Sequence, residues 1–192
     1  MEEGTFDARI KVHDLYLIIL WDTNYFPGQE AVSKRICGLR VADSLFSVEA
    51  FASNSKPEHR IAQVLAERIR PSLGESIKGV EDQLMQSLKV LTDELSDPLV
   101  KAMEVTQPKQ NEYFLTIEKG KGTPLVNGFV RLFVIADLIV SSLKELHWRG
   151  ILTKKEYKKR EDTYIKPLRK LMHDLNQLIK GYHEQRKAIA NR

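Results

Sequence analysis

Cysteine is almost missing from this chain: one, Cys37, in 192 residues. A lone thiol excludes an internal disulfide framework and any zinc cluster built on cysteines. It fits a reducing compartment, so the protein is expected in the cytoplasm. Glycine and proline are sparse, ten and seven residues, which excludes collagen-like and low-complexity architectures. Long apolar runs are scarce too. The best of them, Leu15–Trp21 (LYLIILW), is far shorter than the roughly 20 residues of a bilayer-spanning helix and reads as a buried strand or helix turn. Met1-Glu2-Glu3-Gly4 is acidic and lacks the basic start of a signal peptide. No membrane partner is expected.

What is present suits a packed core. The chain is 42% hydrophobic and 29% charged, enough for one domain or one domain with an embellishment. The net charge of +4 is unevenly spread. Between Lys144 and Lys187 there are 13 Lys and Arg against 6 acidic residues, whereas the rest of the chain has 17 against 20. A basic final third on an acidic remainder suits a polyanion-facing surface; a solvated helix face is the plainer explanation.

Alternation marks a strand from Ala8, with Ala8, Ile10 and Val12 on one face and Arg9, Lys11 and His13 on the other, running into the apolar stretch. Tyr25-Phe26-Pro27-Gly28 reads as a turn, and a helix is expected over about 30–52, weakened in its middle by Gly38. Ser55, Pro57 and Glu58 look like a capped start for a helix that stops at Arg70-Pro71. Ile77, Val80, Leu84, Leu88, Leu91 and Leu95 stripe a further helix, and Asp97-Pro98 opens a short one.

From residue 108 the pattern changes. Glu112–Glu118 reads as a strand with Tyr113, Leu115 and Ile117 on one face and Phe114, Thr116 and Glu118 on the other. A basic turn, Lys119-Gly120-Lys121-Gly122, leads to Thr123 as N-cap and Pro124 at the first helical position. That helix should end at Gly150, the left-handed cap. Thr153 and Glu156 form a capping box for a last helix with Tyr157, Tyr164, Leu168, Leu171, Leu175, Leu178 and Tyr182 on its apolar stripe, kinked by Pro167. The expected fold class is therefore mainly α with one or two short strands. Residues 1–107 form an N-terminal strand and helices, a support, dimer or partner surface. Residues 108–192 form a strand-helix-helix unit with an extended C-terminal helix, and the whole is one domain.

Catalytic patterns are hard to find. The five histidines show no metal-binding spacing. Gly120-Lys121-Gly122-Thr123 resembles part of a phosphate loop, but Leu115 stands where that loop needs its first glycine and Gly122 where it needs Ser or Thr. Cys37 reads as a buried structural thiol. Neither enzymatic activity, nor a cofactor, nor a metal is expected. A lone strand needs a partner, either the strand that starts at Ala8 or its own copy in a dimer. The second option is a ribbon-helix-helix-like unit, whose antiparallel ribbon enters the major groove of double-stranded DNA. On that option Phe114, Thr116 and Glu118, followed by Lys119 and Lys121, face the bases. Thr153, Lys154 and Lys155 offer a helix N-terminus to phosphate, with Lys158 and Lys159 extending the basic surface. Arg9 and Lys11 on the first strand are the competing reading face and are taken as secondary phosphate contacts. Tyr113 and Phe114 could instead stack single-stranded bases, although interior packing explains them as well.

Gly38-Leu39-Arg40, Asn54-Ser55-Lys56-Pro57, Gly128-Phe129, Ala136-Asp137 and Leu146-His147-Trp148-Arg149-Gly150-Ile151-Leu152 resemble the AcaB-like family of conjugative plasmids and integrating conjugative elements, over about residues 8–180. That resemblance implies a cytoplasmic, plasmid-associated DNA-binding activator with a ribbon-helix-helix element. It would act as a homodimer on promoter DNA of conjugation genes, with RNA polymerase as a further partner. The competing expectation is a non-catalytic scaffold or assembly protein of the conjugation machinery.

Overall fold

A computed structural model of the chain describes residues 6–26, 36–106 and 108–190. The first strand, β1 (Phe6–Val12), pairs antiparallel with β2 (Tyr113–Glu118), and the register sets Arg9 against Thr116, Ile10 against Leu115 and Lys11 against Phe114. Period-2 alternation sends Val12, Leu115 and Ile117 into the core and leaves Arg9, Lys11, Thr116 and Glu118 exposed. The expected partner of β2 in a dimer, its own copy, is therefore replaced by β1 of the same chain. With its edge paired in this way β2 does not require a second copy of the chain, and the ribbon is built within one molecule.

The strand does not continue into the apolar run. Asp14 accepts hydrogen bonds from the backbone N–H groups of Tyr16 (2.9 Å) and Leu17 (3.2 Å), and this cap turns Leu15–Trp21 into helix α1. Helix α2 (Gly38–Ala52) starts later than expected, and the first part of the expected helix lies outside the described residues. Gly38 opens that helix instead of weakening its middle. A Cβ there would stand 2.5 Å from Trp21 Cε3 and 2.9 Å from Phe133 Cζ, so only glycine lets α2 approach α1 and the core.

Two expected helices are one. After a 3-10 turn at Pro57–His59, α3 runs from Arg60 to Ser96 straight through Pro71. Pro71 is exposed, while Ala66, Leu73, Ile77, Leu84 and Leu91 are buried along the helix. Tertiary burial on both sides outweighs the missing backbone hydrogen bond. Asn54, not Ser55, holds the start of this segment, accepting from the Lys56 N–H at 3.1 Å. The short α4 (Pro98–Lys101) is capped by Asp97, as expected.

Helix α5 (Pro124–Trp148) is the core of the molecule, with Phe129, Leu132, Phe133, Ala136, Ile139, Leu143 and Leu146 fully buried against neighbouring elements. By length and composition alone α5 is apolar enough to cross a membrane, although Asn127, Arg131 and Asp137 keep it from forming a long unbroken apolar run. Well over half of its most apolar window is covered by protein, as suits a core helix. Its apolar face is thus occupied inside the chain, so it supplies no separate motive for dimerisation. Thr123 does not cap it, and its hydroxyl oxygen is buried without a partner. The cap comes from α2: the buried Glu49 carboxylate accepts from the Leu125 N–H at 3.1 Å.

Helix α6 (Lys154–Ala190) also passes through its proline, Pro167, and lies antiparallel to α3. Arg160 meets Glu94 at the end of α3, and the Tyr182 hydroxyl donates to the Ala62 carbonyl near its start. Tyr157, Leu168, Leu171, Leu175 and Tyr182 are buried as the stripe requires, but Leu178 is exposed and the neighbouring Ile179 is buried in its place.

Candidate nucleic-acid interface

The two strands that competed as the reading face are two halves of one surface. Arg9 and Lys11 stand beside Thr116 and Phe114 on the outer side of a single ribbon. Most of its charges are already engaged. The Arg9 guanidinium lies 3.8 Å from the centroid of the Phe114 ring, a cation–π contact. Lys11 donates to Glu112 at 2.8 Å, which holds that carboxyl below its ordinary value. Lys121 lies between Asp43 and Glu118, 2.7 Å from each, and these contacts, Asp43 first, push its ammonium up. Thr116 and Lys119 are exposed.

The basic turn is anchored, not loose. Asp7 accepts the backbone N–H groups of Gly120 (2.9 Å) and Gly122 (2.8 Å), and these two bonds, Gly120 first, hold its carboxyl below the usual range. Gly120 supplies the positive φ, +84°, that brings both amides round to one oxygen. The other end of the ribbon is fixed by buried charge. Asp137 on α5 accepts from the His13 backbone (2.8 Å), the Asp14 backbone (3.1 Å) and His13 Nδ1 (2.8 Å). Lys144 donates to Asp14 at 2.8 Å.

The start of α6 carries its capping box as expected. The Glu156 carboxylate accepts from the Thr153 backbone (2.8 Å) and hydroxyl (2.7 Å), and the Thr153 hydroxyl accepts from the Glu156 N–H at 3.3 Å. The expected open phosphate seat thus already holds an acid. Lys158 is paired with Glu161 at 2.7 Å. Lys154, Lys155 and Lys159 are exposed, and their ammonium groups make no ion pair among the described residues. The structure does not bring this group and the ribbon turn together as a minimal ribbon-helix-helix unit would. Between Gly122 and Thr153 runs all of α5, 25 residues or about 37 Å.

The periodicity of α6 shows what the cluster reading missed. Lys155, Lys159, Lys166, Lys170 and Lys180 fall four, seven, four and ten residues apart, all exposed and opposite the buried stripe. They keep to one face for about 37 Å of helix. The ammonium groups of Lys155, Lys159, Lys166 and Lys170 have no ion-pair partner among the described residues, and Lys180 lies 3.9 Å from Glu184. Asp162 interrupts the row and is paired with Arg169. The signal was legible, because the spacing follows the helical period.

Tyr113 does not offer a platform for single-stranded bases, since it packs edge-on against Tyr25 and Phe26, with centroids 6.0 and 6.2 Å apart. Among the described residues no group of three or more His, Cys, Asp or Glu is placed to hold a metal ion. No protein-family model and no curated protein matches the chain. A solved structure does: that of AcaB from uropathogenic E. coli matches 97% of this chain and 85% of its own, at a TM-score of 0.67 and 18% sequence identity. At that identity the likeness is one of architecture, and the chain has an AcaB-like fold.

Proposed function

We propose that this chain is a sequence-specific DNA-binding transcriptional regulator, an activator of conjugative transfer genes that works as a cytoplasmic homodimer without enzymatic activity. The observation that carries the reading is the row of exposed lysines on α6, four of its five without an ion pair among the described residues, whose length and spacing suit a run of phosphates. The ribbon supplies the second element. Two antiparallel strands match the width of the major groove, and Thr116, Arg9 and Lys119 are the side chains on its outer face able to meet base edges. The acids beside Lys11 and Lys121 weaken the ribbon's general attraction for DNA and leave discrimination as its role. In a homodimer two such ribbons would meet two half-sites. RNA polymerase is the further partner an activator requires. The AcaB-like fold agrees with the family that residues 8–180 resemble.

The scaffold reading draws on one observation of its own. Leu99 is 79% exposed, with Met103 and Ile151 also open, where Arg149 donates to the Val100 and Met103 carbonyls. Such a patch suits a protein partner. Binding of the purified protein to a duplex from its own upstream region, against a scrambled duplex across a salt series, separates the two. Preference for the upstream duplex with a steep salt slope is expected. No binding at low salt would favour the scaffold, and equal binding to both duplexes would leave only non-specific attraction.

A further inference from the structure

A cleft of about 310 Å³ opens where the end of α2 and the last turns of α6 meet the start of α3. It lies beyond the C-terminal end of the lysine row, since Arg186 follows Lys180 by six residues, about 9 Å of helix. Nothing in the DNA reading uses it.

Its walls are of two kinds. Phe51 forms an aromatic side, with the His59 ring edge-on at 6.1 Å between centroids, and Ile61, 52% exposed, forms an aliphatic one. The polar lining is mostly cationic. The Arg186 guanidinium lies 4.2 Å from the centroid of the Phe51 ring, and Lys187 stands beside it without an ion-pair partner among the described residues. Glu58 is the one acid on the rim. The positive character of this corner reaches His183, held below its ordinary value by burial first and then by Arg186 and Lys187.

A guanidinium held over an aromatic ring by a cation–π contact keeps N–H groups free for an anion, and the contact restricts its position in advance. An aliphatic wall beside that ring accepts a flat apolar body. The volume lies at the lower end of the range for small-molecule sites. We propose that this cleft binds a small planar aromatic anion, its ring between Phe51 and Ile61 and its carboxylate or phosphate on Arg186 and Lys187. The proposal is independent of DNA binding and can fail or stand without it.

The test is titration of the full chain with 2-naphthoate and with adenosine 5′-monophosphate, followed by calorimetry and by backbone amide shifts, with 2-naphthalenemethanol as the uncharged control. The two anions distinguish a carboxylate from a phosphate source. Saturable binding of either at one site is expected, with shifts at Ala62 and His183 and the alcohol at least about tenfold weaker. Arg186→Gln should weaken binding about tenfold. Phe51→Leu, which keeps the bulk and hence the fold, should weaken it several-fold, and Glu58→Gln should tighten it. Lys155→Gln with Lys159→Gln should change nothing, which separates the cleft from phosphate attraction to the lysine row. Absence of saturable binding by both anions at about 1 mM, equal binding of the alcohol, or an unchanged affinity in folded Arg186→Gln would overturn the proposal.

Discussion

The ribbon and the outer face of α6 both carry basic side chains, but they use them in opposite ways. On the ribbon, Arg9 is laid on Phe114, Lys11 is held by Glu112 and Lys121 by Asp43 and Glu118. On α6, Lys155, Lys159 and Lys170 point to solvent without an ion pair among the described residues, and Lys166 feels only Asp162, which Arg169 already holds. A cation paired within the chain fixes geometry and adds little to the field at a distance. One left unpaired contributes its full charge to long-range attraction and releases counterions when it meets a phosphate. Charge counts cannot separate these cases. The pairing decides that one surface is ordered and the other adhesive.

The comparison breaks most visibly at Asp137. This buried carboxylate receives three hydrogen bonds from His13 and Asp14 and ties the end of β1 to α5. Asp137→Ala removes the acceptor and leaves two backbone N–H groups buried, so a loss of about 3–5 kcal/mol in unfolding free energy is expected. Urea denaturation measures it. A loss below about 1 kcal/mol would mean that the ribbon is held by its apolar face alone.

The α6 row should behave in the contrary way. Lys155, Lys159, Lys166 and Lys170 changed together to Gln should leave the melting temperature nearly unmoved, because all four are exposed. The salt slope of DNA binding should fall by roughly 0.9 for each phosphate that is no longer neutralised, and affinity at low salt by about a hundredfold. An unchanged slope in the folded variant would remove α6 from the interface.

Much of the architecture was legible because it is encoded locally. The Thr153–Glu156 box, Pro124 at the first turn of α5 and the inward face Tyr113, Leu115, Ile117 all lie where short-range rules put them. The segment from Leu146 to Leu152, which carried part of the family resemblance, is a helix terminus. Gly150 takes φ +73°, Ile151 N–H returns to the Leu146 carbonyl at 3.0 Å, and His147 Nδ1 donates to the Leu152 carbonyl at 2.7 Å. What stayed hidden depends on distant partners. Pro71 could not announce that helices on both sides would hold α3 together, nor Thr123 that Glu49, 74 residues away, would cap α5 in its place. The pairing of β1 with β2 spans about a hundred residues. Alternation marked both strands and both outer faces, yet it could not choose between a partner in the chain and one in a second copy. The lysine row was within reach of the sequence but was masked by the denser cluster at 154–160.

Gly38 supports the ribbon side from below, and a single methyl tests that support. Gly38→Ala would drive a Cβ to within 2.5 Å of the Trp21 ring, which packs on Phe133 at 5.2 Å between centroids. Neither ring can yield inside this core, so a loss of about 1–3 kcal/mol is expected. DNA binding by the fraction that remains folded should match wild type. A fully stable Gly38→Ala would show that α2 can draw back from α1 without cost to the core.

Acid acts on both regions, through one carboxylate in each, and gives the smallest expected effect. Asp7 at the ribbon turn is held below its ordinary value of 3.8, by the Gly120 N–H first and the Gly122 N–H second. Glu156 at the start of α6 is held below 4.5, by the Thr153 hydroxyl first and its backbone second. A carboxyl whose folded value is depressed contributes to stability above its unfolded value and loses that contribution as pH falls through the folded one. Both contributions should therefore be complete at neutral pH and fade only below about pH 4. Both groups are exposed, so the change is local loosening and not unfolding. Protonating Asp7 removes the negative charge that gathers the two glycine amides, and exchange at Gly120 and Gly122 should quicken relative to unstructured amides at the same pH. Protonating Glu156 should do the same at Thr153. Amide exchange and chemical shifts between about pH 6 and pH 2.5 follow both sites at once, and Asp7→Asn should abolish the dependence at Gly120 and Gly122 while leaving it at Thr153. A Gly120 amide that titrates above 3.8, or one that still titrates in Asp7→Asn, would mean that a different acid holds the turn.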